Sequence, residues 1–386
     1  MSTIREILNF YDAAEAAFEN GQYASSAELY ERASQLSELH DDEDIANRYS
    51  VIMRRDMVHS FLGLEKLREA LTALAPLTEE RKQGRMRSCC IYGTMGDQVY
   101  IGLDLPVTLP TLEKVISEAE SYYRSSGEAS WRSKVMHMRA RVYETRGMFQ
   151  EARLAAQEGW SLWRNGCPAH YATTHLKTLF DISLARRDAA EAHKYLRLWD
   201  KHNEKNSRVR DATYQIMQSR LARLERETRK ALDQARRAVQ TIAIADWNET
   251  RYAANCALVR ALLLAGEHER AKETLVPLMR LRRSESAHDR YSVQLLRGDY
   301  HLARARIAAG LVQSDDEFDM EFPLAERDGE RAASCFELKK ARDSYQAALK
   351  VGRWIDEQLR CAHRQREIHE RLARLKALEK RLEAKG

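Results

Sequence analysis

Proline, glycine and cysteine are all scarce in this chain, and their shortage narrows what it can be. Only 6 prolines and 16 glycines occur in 386 residues. Runs rich in Val, Ile and Thr are nearly absent, so little is available from which to build a sheet. The six cysteines, Cys89, Cys90, Cys167, Cys256, Cys335 and Cys361, are scattered without CxxC spacing. They read as small buried thiols of a reducing compartment rather than as a disulfide framework. Long apolar runs are also missing. The longest lies near Ala261–Ala265, far short of the ~20 residues a membrane-crossing helix needs. The N-terminal stretch MSTIREILNFYDAAEAAF carries charges within an amphipathic pattern and has no signal-peptide core. The expected location is the cytoplasm.

What is abundant is Ala, Leu, Arg, Glu and Lys, the strong helix formers, which predicts an all-α fold. Hydrophobic residues make up 44% and charged residues 31%, enough for a core and against wholesale disorder. The net charge of +5, from 63 basic and 58 acidic residues, is too modest at this length to argue for nucleic acid by itself.

One short pattern recurs. A turn is followed by a small residue, with apolar or small residues four and seven positions on. It reads Gly21-Gln-Tyr23 with Ser26, Tyr30 and Ala33; Gly147-Met-Phe149 with Ala152, Ala156 and Gly159; and Gly266-Glu-His268 with Ala271, Leu275 and Leu278. Weaker copies begin at Ala70, Ala192 and Ala231, a degenerate one lies around Leu112, Ile116 and Ala119, and a last one reads Ala341, Tyr345 and Ala348. The i, i+4, i+7 spacing lays three residues along one stripe of a helix. The first must be small because two helices of a hairpin approach closely there. Counting the degenerate copy, the spacing is close to 40 residues until the last copy, which follows 70 residues after Ala271.

These motifs resemble the tetratricopeptide family, most clearly in Arg139-Ala140, Tyr143, Gly147-Met-Phe149 and Ala152. The usual period is ~34 residues. The longer spacing is similar to that of kinesin light chains, polarity adaptors and peptide-sensing bacterial regulators. The resemblance covers about residues 5–355 and implies a right-handed superhelix of about eight hairpins, ended by a charged helix over 356–386. That last helix is expected to run unbroken from Val351 to Lys385, as a cap or a short coiled coil. Two places break the pattern. Residues 91–110 carry three Gly and two Pro and read as a long connection or a bent helix. Residues 311–330 form an acidic insertion after a helix expected over Tyr291–Ala309. Its Asp315, Asp316, Glu317, Phe318 and Phe322 suggest a gate over the array's own groove, a recruitment loop, or a plain solvated insertion.

No catalytic signature is present: there is no GxSxG, P-loop, HExxH or GxGxxG. No cofactor is expected. Cys167, His170 and His175 are the nearest approach to a metal set, and a fourth ligand is lacking. Cys361 with His363 is weaker still. By the resemblance, the first helix of each hairpin lines an inner groove. Counting back from the anchors, and from Gly310 in the last repeat, places Arg55, His59, Lys134, His137, Arg141, Lys177, Asp181, Arg220, Arg260, Arg297, Tyr300 and Arg304 there. This set is mostly basic. It suits a protein or peptide partner, acidic where it meets the groove, because guanidinium groups hold carboxylates in two-point contacts. It equally suits a solvated face whose cations pair internally. The Lys–Asn–Arg carboxylate clamp of chaperone-binding members is not found. The leading expectation is a non-enzymatic scaffold or adaptor. A ligand-sensing regulator is the alternative. A nucleic-acid binder using Arg220, Arg223, Arg236, Arg237, Arg280, Arg282 and Arg283 is a third reading and the less favoured. Oligomeric state is left open.

Overall fold

A computed structural model of the chain describes all residues except 1–2, 20–21, 65, 84–87, 106, 127–128, 164–168, 203–207, 244–247, 281–283, 309–327 and 384–386. Gly21, Cys167, Arg282, Arg283, Gly310 and most of the acidic insertion, including Asp315, Asp316, Glu317, Phe318 and Phe322, lie outside the described residues, as do the side chains of Cys89, Cys90 and His170. Among the described residues every regular element is helical. The chain divides into two compact units. One comprises residues 1–145, 150–178 and 243–249, and the other residues 146–149, 179–242 and 250–386.

The first unit is built from α1 (Ile4–Glu19), α2 (Tyr23–Glu38), α3 (Glu43–Gly63), α4 (Leu67–Lys82), α5 (Ser88–Asp104), α6 (Leu109–Ser126), α7 (Ala129–Thr145), α8 (Phe149–Trp163) and the start of α9 (Ala169–Ala185). Sequential helices pack as hairpins, and the first helices of neighbouring hairpins also touch, α3 on α5 and α5 on α7. The glycine-rich stretch expected as a connection or a bent helix is helical through Asp104. Its glycines are places of close approach. A Cβ on Gly93 would sit 3.1 Å from the Arg55 side chain of α3, and one on Gly102 would sit 2.8 Å from Leu112 and from Val107.

The second unit continues with the rest of α9, α10 (Ala189–His202), α11 (Arg208–Leu224), α12 (Thr228–Ile242), α13 (Asn248–Leu264), α14 (His268–Leu278), α15 (Ala287–Ala308), α16 (Asp328–Gln358) and α17 (His363–Glu383). The anchor residues Ser26, Ala70, Ala152, Ala192, Ala231, Ala271 and Ala341 are all fully buried, as the close-crossing argument requires. At several crossings a serine hydroxyl donates to the backbone of the facing helix: Ser26 to the Ala14 carbonyl at 3.0 Å, Ser219 to Ala231 at 2.8 Å and Ser334 to Ala305 at 3.0 Å.

The turns follow one recipe. After α9, the Asp188 N–H bonds the Ser183 carbonyl at 2.9 Å and the Arg187 N–H bonds Leu184 at 3.0 Å, with Arg187 at φ 58°. This paired closure of the last helical turn recurs at Arg226, Gly266 and Arg360, each with positive φ. Gly147 has positive φ as well.

The last of these turns corrects one expectation. The helix drawn from Val351 to Lys385 is two helices, broken at Arg360. Arginine gives no breaker signal, so the charged run looked continuous. The turn is fixed instead by buried Asp356. Its carboxylate accepts from the Arg364 N–H at 3.4 Å and the Gln365 N–H at 3.0 Å, capping α17 from the preceding helix. The Arg364 guanidinium lies 3.5 Å from the same carboxylate. α17 then folds back on α16, burying Ile368, Leu375, Leu378 and Leu382. Further ties run to α15: Arg371 reaches Asp299 at 3.2 Å while also bonding Glu367 of its own helix at 3.1 Å, the Tyr345 hydroxyl donates to Asp299 at 2.8 Å, and Tyr291 donates to Glu367.

Candidate functional site

In the first unit the inner-helix positions form a continuous polar row. On α3, Asp56 accepts from the Tyr11 hydroxyl of α1 at 3.4 Å and lies 3.6 Å from the Arg55 guanidinium. His59, one turn on, has one ring nitrogen 4.0 Å from Asp56 and the other 3.5 Å from Asp97 of α5. Burial alone would depress the His59 ring, but Asp97 and Asp56 outweigh it and hold its pKa above the usual value. Burial, then the Asp56 charge, pushes the Tyr11 phenol up to about 12.

One turn further along α5, the Tyr100 ring meets the His137 ring of α7 at 5.5 Å, and His137 meets His175 of α9 edge-to-face at 5.5 Å. His137 sits well below the usual imidazole range. Burial is the main cause, followed by the positive charges of His175, Arg141 and Lys177. His175 is pushed down to about 4 by burial. Its Nε2 lies 2.9 Å from the Ser133 hydroxyl, which donates to the Gly159 carbonyl at 3.1 Å. Because that serine proton is committed, His175 donates through Nε2, which leaves Nδ1 as a buried acceptor without a partner. Gly159 makes room for this ring: a Cβ there would sit 2.1 Å from it. Of the suggested metal set, His175 is thus a packed, hydrogen-bonded core residue.

The sequence count therefore brings Arg55, His59, His137, Arg141 and Lys177 onto one unit. Lys134, also on α7, instead rests its ammonium 4.2 Å over the Trp131 ring. Arg141 lies 2.8 Å from Glu144. The linking residues Asp56, Asp97, Tyr100 and His175 were not read as part of the face. For Asp97 and Tyr100 the reason is plain: they lie in the glycine-rich stretch read as a break, and α5 contributes to the row only once that stretch is helical.

In the second unit the inner positions are more fully paired. Arg220 of α11 bonds Asp181 of α9 at 2.5 Å and lies over the Phe180 ring. Arg304 of α15 pairs with Glu269 of α14. Arg260 lies near the half-buried Tyr252 and the buried Cys256 of its own helix, α13, and its charge opposes the upward push that burial gives both groups. Tyr300 is buried, and neighbouring His301 lies 2.6 Å from Glu337. Burial depresses His301, and the nearby Arg297 adds to this. The face expected from the count to be mostly basic is thus a mixed one, since Asp56 and Asp97 join Asp181 on the first helices and Glu269 of α14 pairs with Arg304. Acids separated by some 35 to 40 residues in sequence are paired only by stacking.

No protein-family model matches the chain, and no curated protein matches its sequence. Solved structures do. A Rap protein complexed with competence and sporulation factor aligns with a TM-score of 0.55 at 11% identity, over 99% of this chain and 100% of that one. The apo form of RapI aligns at a TM-score of 0.48, also at 11% identity, over 97% and 98% of the two chains. The fold is that of a tetratricopeptide-like repeat protein. No described helix is long and apolar enough to cross a membrane.

Proposed function

We propose that this protein is a non-enzymatic interaction module that holds a polypeptide ligand on the inner helix face of its first unit. The observation that carries this reading is the run of rings Tyr100, His137 and His175, each 5.5 Å from the next, with the charges of Arg141 and Lys177 near enough to lower the His137 pKa. An acidic side chain or a terminal carboxylate seated there would meet Lys177 and an imidazole next to an aromatic surface, and would share Arg141 with Glu144. The neighbouring His59 with Asp56 and Asp97 offers the opposite sign within the same row, so the fitting ligand is an acidic segment carrying a basic or hydrogen-bonding residue beside the acid.

The Rap protein complexed with competence and sporulation factor supports the ligand-sensing form of this reading, since a fold aligned over its entire length has been captured with a factor bound. Nucleic acid is disfavoured. Arg220 and Arg236 of the candidate set are engaged by Asp181 and Glu267, which lowers the charge available for phosphate. A cytoplasmic setting fits the free thiols of Cys256, Cys335 and Cys361.

The test is a binding titration with fluorescent acidic peptides against the parent protein and Arg141→Glu/Lys177→Glu. The double variant is expected to lose at least tenfold in affinity while keeping its melting temperature. Equal binding by parent and variant overturns the placement of the site.

A further inference from the structure

On the side of α7 turned away from His137 and Arg141 lies a cavity of about 390 Å³ that the inner-face reading does not use. It opens between α6, α7 and α8. Its floor is the buried pair Val135 and Met136. An Arg–Glu pair closes each end. At one end Arg139 of α7 bonds Glu120 of α6 at 2.7 Å. At the other Arg132 of α7 bonds Glu158 of α8, with its guanidinium 6.0 Å from the centre of the Tyr123 ring. Arg124 on the last turn of α6 completes the rim. Arg132 and Arg139 are seven residues apart, about 10 Å along a helix at 1.5 Å per residue.

Each end therefore offers both signs of charge beside an apolar floor. A plain anion would meet two carboxylates, and a plain cation three guanidinium groups. An apolar ligand would shield the rim ion pairs from water without contacting their charges, at a cost. A zwitterion matches both. Its ammonium replaces the guanidinium as partner of a glutamate, its carboxylate replaces the glutamate as partner of an arginine, and an apolar side chain lies on Val135, Met136 and Tyr123. The volume falls in the range of small-molecule sites, ~300–1,000 Å³. We infer that this cavity is a binding site for a free apolar α-amino acid, of the size of leucine or phenylalanine.

The test uses the full chain and calorimetric titration with L-leucine and L-phenylalanine, each beside its N-acetyl and carboxamide derivatives. Saturable binding is expected for at least one free amino acid, with both blocked forms at least tenfold weaker. Arg132→Gln is expected to lower affinity for the free amino acid at least tenfold with an unchanged melting temperature. Glu158→Gln is expected to weaken the free amino acid and leave the N-acetyl form unaffected. Both side chains are about 40% exposed, so neither change disturbs the core. Absence of saturable binding overturns the inference. So does equal binding of the N-acetyl form, which would make the cavity an anion site. A normal titration by both variants overturns it as well. Because these residues lie off the inner face, loss of peptide binding in Arg141→Glu/Lys177→Glu is read separately from this result.

Discussion

The turn residues carry a cost that the chain accepts repeatedly. Arg187, Arg226 and Arg360 hold left-handed backbone at φ 58°, 64° and 49°, where Gly147 and Gly266 sit without strain at 75° and 76°. For a residue with a Cβ this conformation costs about 1–2 kcal/mol, while glycine loses roughly 0.5–1 kcal/mol through its freer unfolded chain. Arg226→Gly is therefore expected to gain up to about 1 kcal/mol in urea denaturation, and Gly266→Ala to lose about 1 kcal/mol. The two imidazoles give a second expectation. His137 and His175 are both depressed, so the unfolded chain binds more protons than the folded one between the ordinary imidazole pKa and the folded values. Their contribution to stability is complete above about pH 6.5 and is lost as the pH falls toward about 4, the value for His175. The melting temperature is expected to drop through this interval. His175→Asn, which keeps a donor toward Ser133 without a titrating ring, is expected to flatten the drop. An equally steep fall in the variant would remove His175 as its cause.

At the scale of elements, the C-terminal hairpin rests on buried charge. Asp356 is fully buried and Arg364 nearly so. Removing one member of such a pair strands the other, typically at 3–5 kcal/mol. Asp356→Ala also removes the cap on α17. It is expected to lower stability by about 3 kcal/mol or more and to expose the α17 stripe to limited proteolysis near Arg360. Gly298 of α15 faces the Tyr345 ring, where a Cβ would sit 2.3 Å away. Gly298→Ala is expected to cost at least about 1–3 kcal/mol by overpacking, measurable by thermal melting. This level also shows what was legible in the sequence. Anchor residues were readable because a close crossing demands a small side chain at fixed spacing, and each one named is buried. The Arg360 break was not, because its cause is a carboxylate on the preceding helix rather than a Gly or Pro at the turn. Helical α5 was hidden for the converse reason: its glycines serve contact with Arg55, Leu112 and Val107, and local pattern reading takes them for a loop. The pairing of Arg220 and Arg304 was invisible because it joins helices through stacking, so the face looked more basic than it is.

For the molecule as a whole, stability is a sum over hairpins and their neighbours rather than the property of one core. Two compact units predict that unfolding is not a single step. Trp131 and Trp160 report on the first and Trp199 on the second. Single-tryptophan variants are expected to give denaturation midpoints that differ between the units, and coincident curves would argue for all-or-none unfolding.

The left-handed turn residues at 147, 187, 226 and 266 recur at intervals of 39 or 40. Three of them share the same paired backbone closure, so the chain is written in interchangeable sentences ending in the same punctuation. Deleting residues 188–226 would join Arg187 to Glu227, reproducing the junction of Arg226 with Glu227 without a new backbone conformation. Whole hairpins can thus be lost or copied by recombination at these points with the joint intact, and the extent of the array becomes a quantity that evolution adjusts in steps of one hairpin.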